Sequence, residues 1–177
     1  GNQADSAIGR LQNIHGDKLE RERLEQRSKR DALTGIYNIA AAKMEITRMI
    51  NLHTGALALA VIDLDGFKEI NDRYGHYTGD QVLIHTAKAL RESFCGEAVT
   101  ARMGGDEFAV FITKASAKEL ISDKVECLKR RFQQSGRNLG VCRNLSITAG
   151  ADFVQRKDTF ESIYYRADCA MRSGKRN

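Results

Sequence analysis

The stretch Ala98-Val99-Thr100-Ala101-Arg102-Met103-Gly104-Gly105-Asp106-Glu107-Phe108-Ala109-Val110-Phe111-Ile112-Thr113 reads as two strands folded about a turn. Ala98 to Met103 and Glu107 to Thr113 are rich in aliphatic, aromatic and β-branched residues, and Gly104-Gly105-Asp106 supplies the positive φ that a tight turn needs. Alternation puts Phe108, Val110 and Ile112 on one face of the returning strand and Glu107 on the other. Asp106 and Glu107 therefore stand at the tip of a hairpin.

Working outward, Ala56 to Asp63 is a further strand, in which Leu57, Leu59, Val61 and Asp63 share one face, so that a carboxylate continues an apolar row. An unpaired buried carboxylate is costly, and a metal ion is one of the few partners that reverses the cost. Leu64-Asp65-Gly66 ends this strand and Phe67-Lys68-Glu69-Ile70-Asn71 begins a short helix. Its free N-terminal amides are expected to face Asp63, and such amides bind phosphate.

Three acidic groups, Asp63, Asp106 and Glu107, are thus expected to converge. Sites of that kind hold two divalent cations about 3.5–4 Å apart and clamp the attacking and leaving oxygens of a phosphoryl transfer. All-oxygen ligands suit magnesium or manganese. Each feature also has an ordinary explanation: a strand-end Asp caps a helix, a Gly-Gly-Asp turn is only a turn, and a Lys after an aromatic is solvated. The functional reading rests on their joint occurrence.

Helical spacing of apolar residues marks Ile39 to Leu52, closed by His53-Thr54-Gly55, and Asp80 to Phe94, with Val82, Leu83, Ala87 and Leu90 on one side. Ala117 to Phe132 and Phe160 to Met171 also read as helices, and Leu145 to Phe153 as a strand. The order is helix, strand, helix, hairpin, helix, strand, helix, with no internal repeat. It predicts an α+β fold, an antiparallel-centred sheet flanked by helices. Neither a glycine-rich P-loop nor a GxGxxG fingerprint is present. Upstream, Ala7 to Ile14 alternates loosely like a strand, and Asp17 to Arg30 is a charged stretch of helix formers.

With 177 residues, 42% hydrophobic and 29% charged, the chain has the size of one compact domain plus a short appendage. Its net charge of +5 is concentrated at residues 18–30 and at the C-terminus rather than along a groove. With 7% aromatics and no Trp, stacking platforms for single strands are not evident, so a nucleotide suits the charge better than a nucleic acid. Cys95, Cys127, Cys142 and Cys169 form no close pair, which argues against a zinc knuckle or disulfide framework and for a reducing, cytoplasmic setting. The longest apolar run, Ala56 to Ile62, is far short of a membrane span, so direct membrane contact is not expected.

Gly104-Gly105-Asp106-Glu107-Phe108, preceded by Arg102, is identical to the signature of GGDEF domains, the diguanylate cyclase family. Arg30-Asp31-Ala32-Leu33-Thr34-Gly35-Ile36-Tyr37-Asn38 resembles that family's opening motif, with Ala32 where Pro is frequent. Asp63 to Asp72 is similar to its metal and phosphate segment, and Tyr74-Gly75-His76-Tyr77-Thr78-Gly79-Asp80 follows in the family's spacing. Leu145 to Gly150 and Ala167-Asp168 resemble its late strand and last helix, so the likeness runs from about residue 30 to the end.

The resemblance implies a nucleotidyl cyclase or polymerase palm with a ferredoxin-like βαββαβ core, and a diguanylate cyclase that condenses two GTP into cyclic di-GMP. Asp63 and Asp106 are then metal ligands, assisted by the carbonyl of Leu64, for two Mg²⁺ or Mn²⁺ per GTP. Asp106 or Glu107 deprotonates or orients the attacking 3'-hydroxyl, and Phe67 and Lys68 meet the triphosphate, with Lys68 among the catalytic groups. Gly104 and Gly105 lie against substrate. Asn71 and Asp80 read guanine, whose ring N–H and exocyclic amine a carboxylate accepts from, as adenine does not allow. His76 borders the same pocket, or merely packs.

Because one domain holds one GTP and the product has two phosphodiester bonds, a homodimer is required. The resemblance also divides the chain into residues 1–16, a remnant of an upstream, PAS-type sensor domain, residues 17–30, a signalling helix that brings two domains together, and residues 31–177, the GGDEF domain. Two departures stand out. An RxxD product-binding site is not expected, since Cys95 and Ala98 occupy its positions. Against the family's Ala-Asp-x-Ala-Leu-Tyr-x-Ala-Lys, the chain reads as a few residues short after Met171, lacking the Tyr and a phosphate-contacting Lys and leaving Lys175 or Arg176 as replacement. A catalytically weak or inactive GTP or cyclic-dinucleotide sensor is the main alternative, and a structural dimerisation module a more remote one.

Overall fold

The computed structural model describes residues 28–52, 55–94, 96, 98–114, 118–141 and 145–175. In chain order its elements are β1 (Tyr37–Asn38), α1 (Ile39–Leu52), β2 (Ala58–Asp65), α2 (Phe67–Tyr74), α3 (His76–Ser93), β3 (Ala98–Gly104), β4 (Glu107–Ile112), α4 (Lys118–Asn138), β5 (Ser146–Phe153) and α5 (Phe160–Gly174). The strands lie in the order β1-β3-β4-β2-β5, with β1 parallel to β3 and every other pairing antiparallel. From β2 to β5 the path is βαββαβ, two consecutive helices filling the first crossover.

Hydrophobic alternation divides the core into two layers on either side of this sheet. Ala58, Ala60, Ile62 and Leu64 of β2 join Phe108, Val110 and Ile112 of β4 beneath Val82 and Leu90 of α3 and Leu128 and Phe132 of α4. Leu59 and Val61 join Ala109 and Phe111 on the opposite face, beneath Ala42 and Ile46 of α1 and Ile163, Ala167 and Met171 of α5. Each fully buried Val, Leu, Ile, Phe or Met side chain among them contributes about 1.5–3 kcal/mol. With both faces covered, β2 cannot slip by one residue without exchanging its two layers, so Asp63 is fixed on the α1/α5 side.

Several elements differ in extent from the sequence pattern. β2 runs to Asp65 because β5 pairs along its whole length, Asp65 opposite Ser146, and Asp65 accepts hydrogen bonds from Ser146 Oγ (2.6 Å) and Thr148 Oγ1 (2.9 Å). α2 continues to Tyr74, where Gly75 (φ 81°) breaks it, and α3 begins at once at His76 rather than at Asp80. α4 and α5 each run past the predicted ends, to Asn138 and Gly174. The two-residue β1 is too short to show any period; it pairs in parallel with Ala101 and Arg102, and Tyr37 also bridges Arg30. The predicted Ala7–Ile14 strand and residues 17–27 of the predicted helix lie outside the described residues.

Candidate active site

Asp63 and Glu107 are opposite partners in the antiparallel ladder between β2 and β4, so two carboxylates meet across neighbouring strands on one face of the sheet. Asp106 precedes Glu107 in the turn, and its carbonyl accepts from the Leu64 N–H at 3.3 Å, which ties the turn to the end of β2. Burial first, and then the charges of Asp63, Asp168 and Asp106, push the Glu107 carboxyl above its ordinary value of 4.5, while Arg172 opposes them. The three predicted acidic residues are brought together. Asp168, on α5, joins their field and was not foreseen in that role, because nothing in a helical spacing says which strand its face will meet.

Arg102 holds the turn in place. Its Nε and Nη2 donate to the Gly105 carbonyl at 3.0 and 2.7 Å, and its Nη1 to Asp31 Oδ1 at 3.3 Å. Asp31 also accepts from the Thr34 N–H (2.9 Å) and hydroxyl (2.6 Å). Burial alone would raise the Asp31 carboxyl, but the bonds from Thr34 and the charge of Arg102 outweigh it and hold it below its ordinary 3.8. Gly105 adopts φ 49°, the left-handed region, and Met103 forms an irregularity in the β3–β4 ladder between the pairs Arg102–Phe108 and Gly104–Glu107. That kink aims the acidic tip.

Phe67 opens α2 behind Gly66, a cap position in left-handed conformation with no side-chain cap bond, so the first amides of α2 are not used by a capping side chain. Asn71 and Phe67 lie against Gly79 of α3, one residue before Asp80. Lys68, His76 and Asp80 are exposed on α2 and α3. The predicted nucleotide residues are therefore carried by two helices rather than by strands.

The family model for the diguanylate cyclase GGDEF domain matches residues 28–177. The chain belongs to the GGDEF family. Over 148 residues, 78% of this chain and 41% of that protein, it is 36% identical to the diguanylate cyclase VdcA of Vibrio cholerae. It is 33% identical to the diguanylate cyclase TpbB of Pseudomonas aeruginosa over 165 residues, 89% of the chain and 37% of TpbB. The chain thus spans about two fifths of the length of these curated relatives. The solved GGDEF domain of TpbB superposes with a TM-score of 0.68 at 33% identity, covering 83% of this chain and 88% of that one. The coiled coil and GGDEF domain of DgcB from Caulobacter crescentus, solved with c-di-GMP, has a TM-score of 0.87 over 99% of this chain and 95% of that one, and at 22% identity shows the shared fold.

At the C-terminal end this GGDEF domain corrects the reading of its sequence. α5 runs unbroken through Gly174, and in that register Ala167 to Lys175 fills every position of Ala-Asp-x-Ala-Leu-Tyr-x-Ala-Lys. Nothing is missing. Arg172 stands where the Tyr is usual, and Lys175 coincides with the Lys, its Nζ 2.5 Å from Asp63 Oδ1. The replacement of Leu-Tyr by Met171-Arg172 obscured the register in the sequence. Arg176, the other candidate, and Cys95, in the RxxD position, lie outside the described residues.

Among the described residues no three acidic, His or Cys side chains form a ready metal cage. The donor chemistry nevertheless fits a hard cation. Burial and then the neighbouring carboxylates raise Glu107, and Asp63 already holds a cation, the Lys175 ammonium. Lys175 is 37% exposed at the end of α5, so it can leave without disturbing the core. Among the described residues no helix is long and apolar enough to cross a membrane.

Proposed function

We propose that this GGDEF domain is a diguanylate cyclase, acting as the output domain of a longer signalling protein whose upstream segment carries a sensor. The observation that carries the reading is the ladder pairing of Asp63 with Glu107, next to Asp106, on the strand that leads into α2, a helix without a side-chain cap. Asp63, Asp106 and the Leu64 carbonyl would hold Mg²⁺ or Mn²⁺, two per GTP. Bound there, the cations would neutralise the triphosphate and lower the pKa of the attacking hydroxyl.

The chain's own residues do the rest. Phe67, Lys68, Lys175 and the first amides of α2 receive the phosphates, and Gly104 and Gly105 leave room for substrate at the turn. Asn71 and Asp80 read guanine, with His76 at the pocket's border. Asp106 or Glu107 takes the proton from a 3'-hydroxyl as its oxygen bonds to the α-phosphorus of the GTP held by a second domain. The bond from that phosphorus to the bridging oxygen breaks and pyrophosphate leaves. A second such attack closes the ring, giving cyclic di-GMP and two pyrophosphates, which makes the homodimer part of the chemistry.

Incubation with GTP and Mg²⁺ tests this directly. Cyclic di-GMP is expected, with ATP a poor substrate and with Asp63→Asn and Asp106→Asn giving none. GTP binding without product at high protein concentration would instead support the regulatory-sensor reading.

A further inference from the structure

Gly79 lies in the first turn of α3, its N–H bonded to the Gly75 carbonyl at 3.3 Å, and its backbone is ordinary right-handed helix. No turn or positive φ calls for glycine there, and glycine within a helix is a destabilising choice. The reason is space. A Cβ at Gly79 would fall 2.0 Å from Asn71 Oδ1, 3.0 Å from Asn71 Cγ and 3.3 Å from Phe67 Cζ. Heavy atoms do not approach so closely, so any side chain at this position would occupy the volume that the Asn71 amide now fills.

The atoms in the way matter. They belong to the ends of two side chains, not to backbone, so the helices could keep their packing while the amide swings aside. Gly150 makes a useful contrast, since a Cβ there would strike the backbone of α5, 2.0 Å from Met171 N. At Gly79 the casualty would be one functional group rather than the fold. Gly79 also immediately precedes Asp80, so the same contact sets where the amide sits relative to the carboxylate on α3.

We propose that Gly79 is a specificity-determining positioning residue, whose absent side chain forms the seat holding the Asn71 amide in its guanine-reading position. The inference rests on the nucleotide site described under Proposed function. It predicts opposite signs for stability and binding. Gly79→Ala gains helix propensity and should melt no lower than the unaltered protein, yet bind GTP about 10- to 100-fold more weakly, the loss typical of a misplaced group. Its preference for GTP over ATP should fall to the level of Asn71→Ala.

A double-mutant cycle separates this from a general effect on α3. GTP and ATP affinities are measured by calorimetry, and thermal unfolding is followed, for the unaltered protein, Asn71→Ala, Gly79→Ala and the double variant. In the Asn71→Ala background the seat is empty, so Gly79→Ala should cost nothing more. Equal weakening in both backgrounds, a lowered melting temperature, or unchanged GTP binding by Gly79→Ala overturns the proposal. If the unaltered protein does not bind GTP, the reading of the whole site fails and this inference with it. Binding by the unaltered protein with no effect of Gly79→Ala sinks the seat alone.

Discussion

Glu107 bears the conflict at the centre of the site. It is half-buried beside Asp63, Asp106 and Asp168, and Arg172 relieves only part of their repulsion. Folding gathers charges that the unfolded chain keeps apart, so removing one should stabilise the metal-free protein. Glu107→Gln is expected to raise the melting temperature, by about 0.5–1 kcal/mol of stability once solvent screening is allowed for, and to yield no cyclic di-GMP. Thermal unfolding without divalent ions checks the first half; a lowered melting temperature would mean that Glu107 is held by favourable partners instead. The acidic residues themselves were legible in the sequence, because a carboxylate interrupting an apolar row is conspicuous. The link from Arg102 to Asp31 and the approach of Asp168 to Glu107 were not legible, since each joins segments far apart in the chain. Gly79 was visible only as a letter in a motif, because the space it leaves is a property of two packed helices.

At the scale of elements, α5 carries Lys175 to Asp63, and three features fix its path. Thr159 and Ser162 form a reciprocal capping box at its start. Arg166 donates to Asp152 Oδ2 (2.6 Å), to both carboxylate oxygens of Asp158 (2.8 and 2.7 Å) and to the Phe153 carbonyl (3.0 Å), tying the helix to the end of β5. Gly150 lets its backbone lie directly on the sheet. Gly150→Ala should therefore cost about 3 kcal/mol or more, the upper range for overpacking where backbone must move, and should weaken GTP binding by displacing Lys175. Denaturant unfolding checks it. The hydrogen bond from Arg166 is the largest of the influences that hold Asp158 far below its ordinary carboxylate value of 3.8. A depressed acid contributes stability that is present above 3.8 and lost as pH falls below it. Asp158→Asn should thus lower stability at pH 7 by about 1–3 kcal/mol, and the difference from the unaltered protein should shrink on acidification toward pH 3. The order of elements from β2 to α5 followed from periodicity, whereas their ends did not. Asp65 stays in β2 because hydroxyls on β5 receive it, and at Gly75 α2 gives way at once to α3, which starts at His76 rather than at the Asp80 that the apolar spacing marks.

For the whole molecule, the dimer follows from the chemistry proposed rather than from any surface of the fold. One domain with one GTP supplies one hydroxyl and one α-phosphate, and a ring with two phosphodiester bonds needs two of each. Turnover per chain should then rise with protein concentration and level off once pairing saturates. Mixing provides the sharper measurement. When Asp63→Asn protein is added in equal amount to the unaltered protein at fixed total concentration and pairs form at random, only about one quarter are fully intact. A mixed pair retains one working site, sufficient for a single attack, so it should release one pyrophosphate and stop at the linear dinucleotide pppGpG. Chromatography of the products is expected to give about a quarter of the cyclic product together with that linear species. Two independent monomers would instead give one half and no linear product, whatever the concentration, and that result would remove the pair of facing domains from the mechanism.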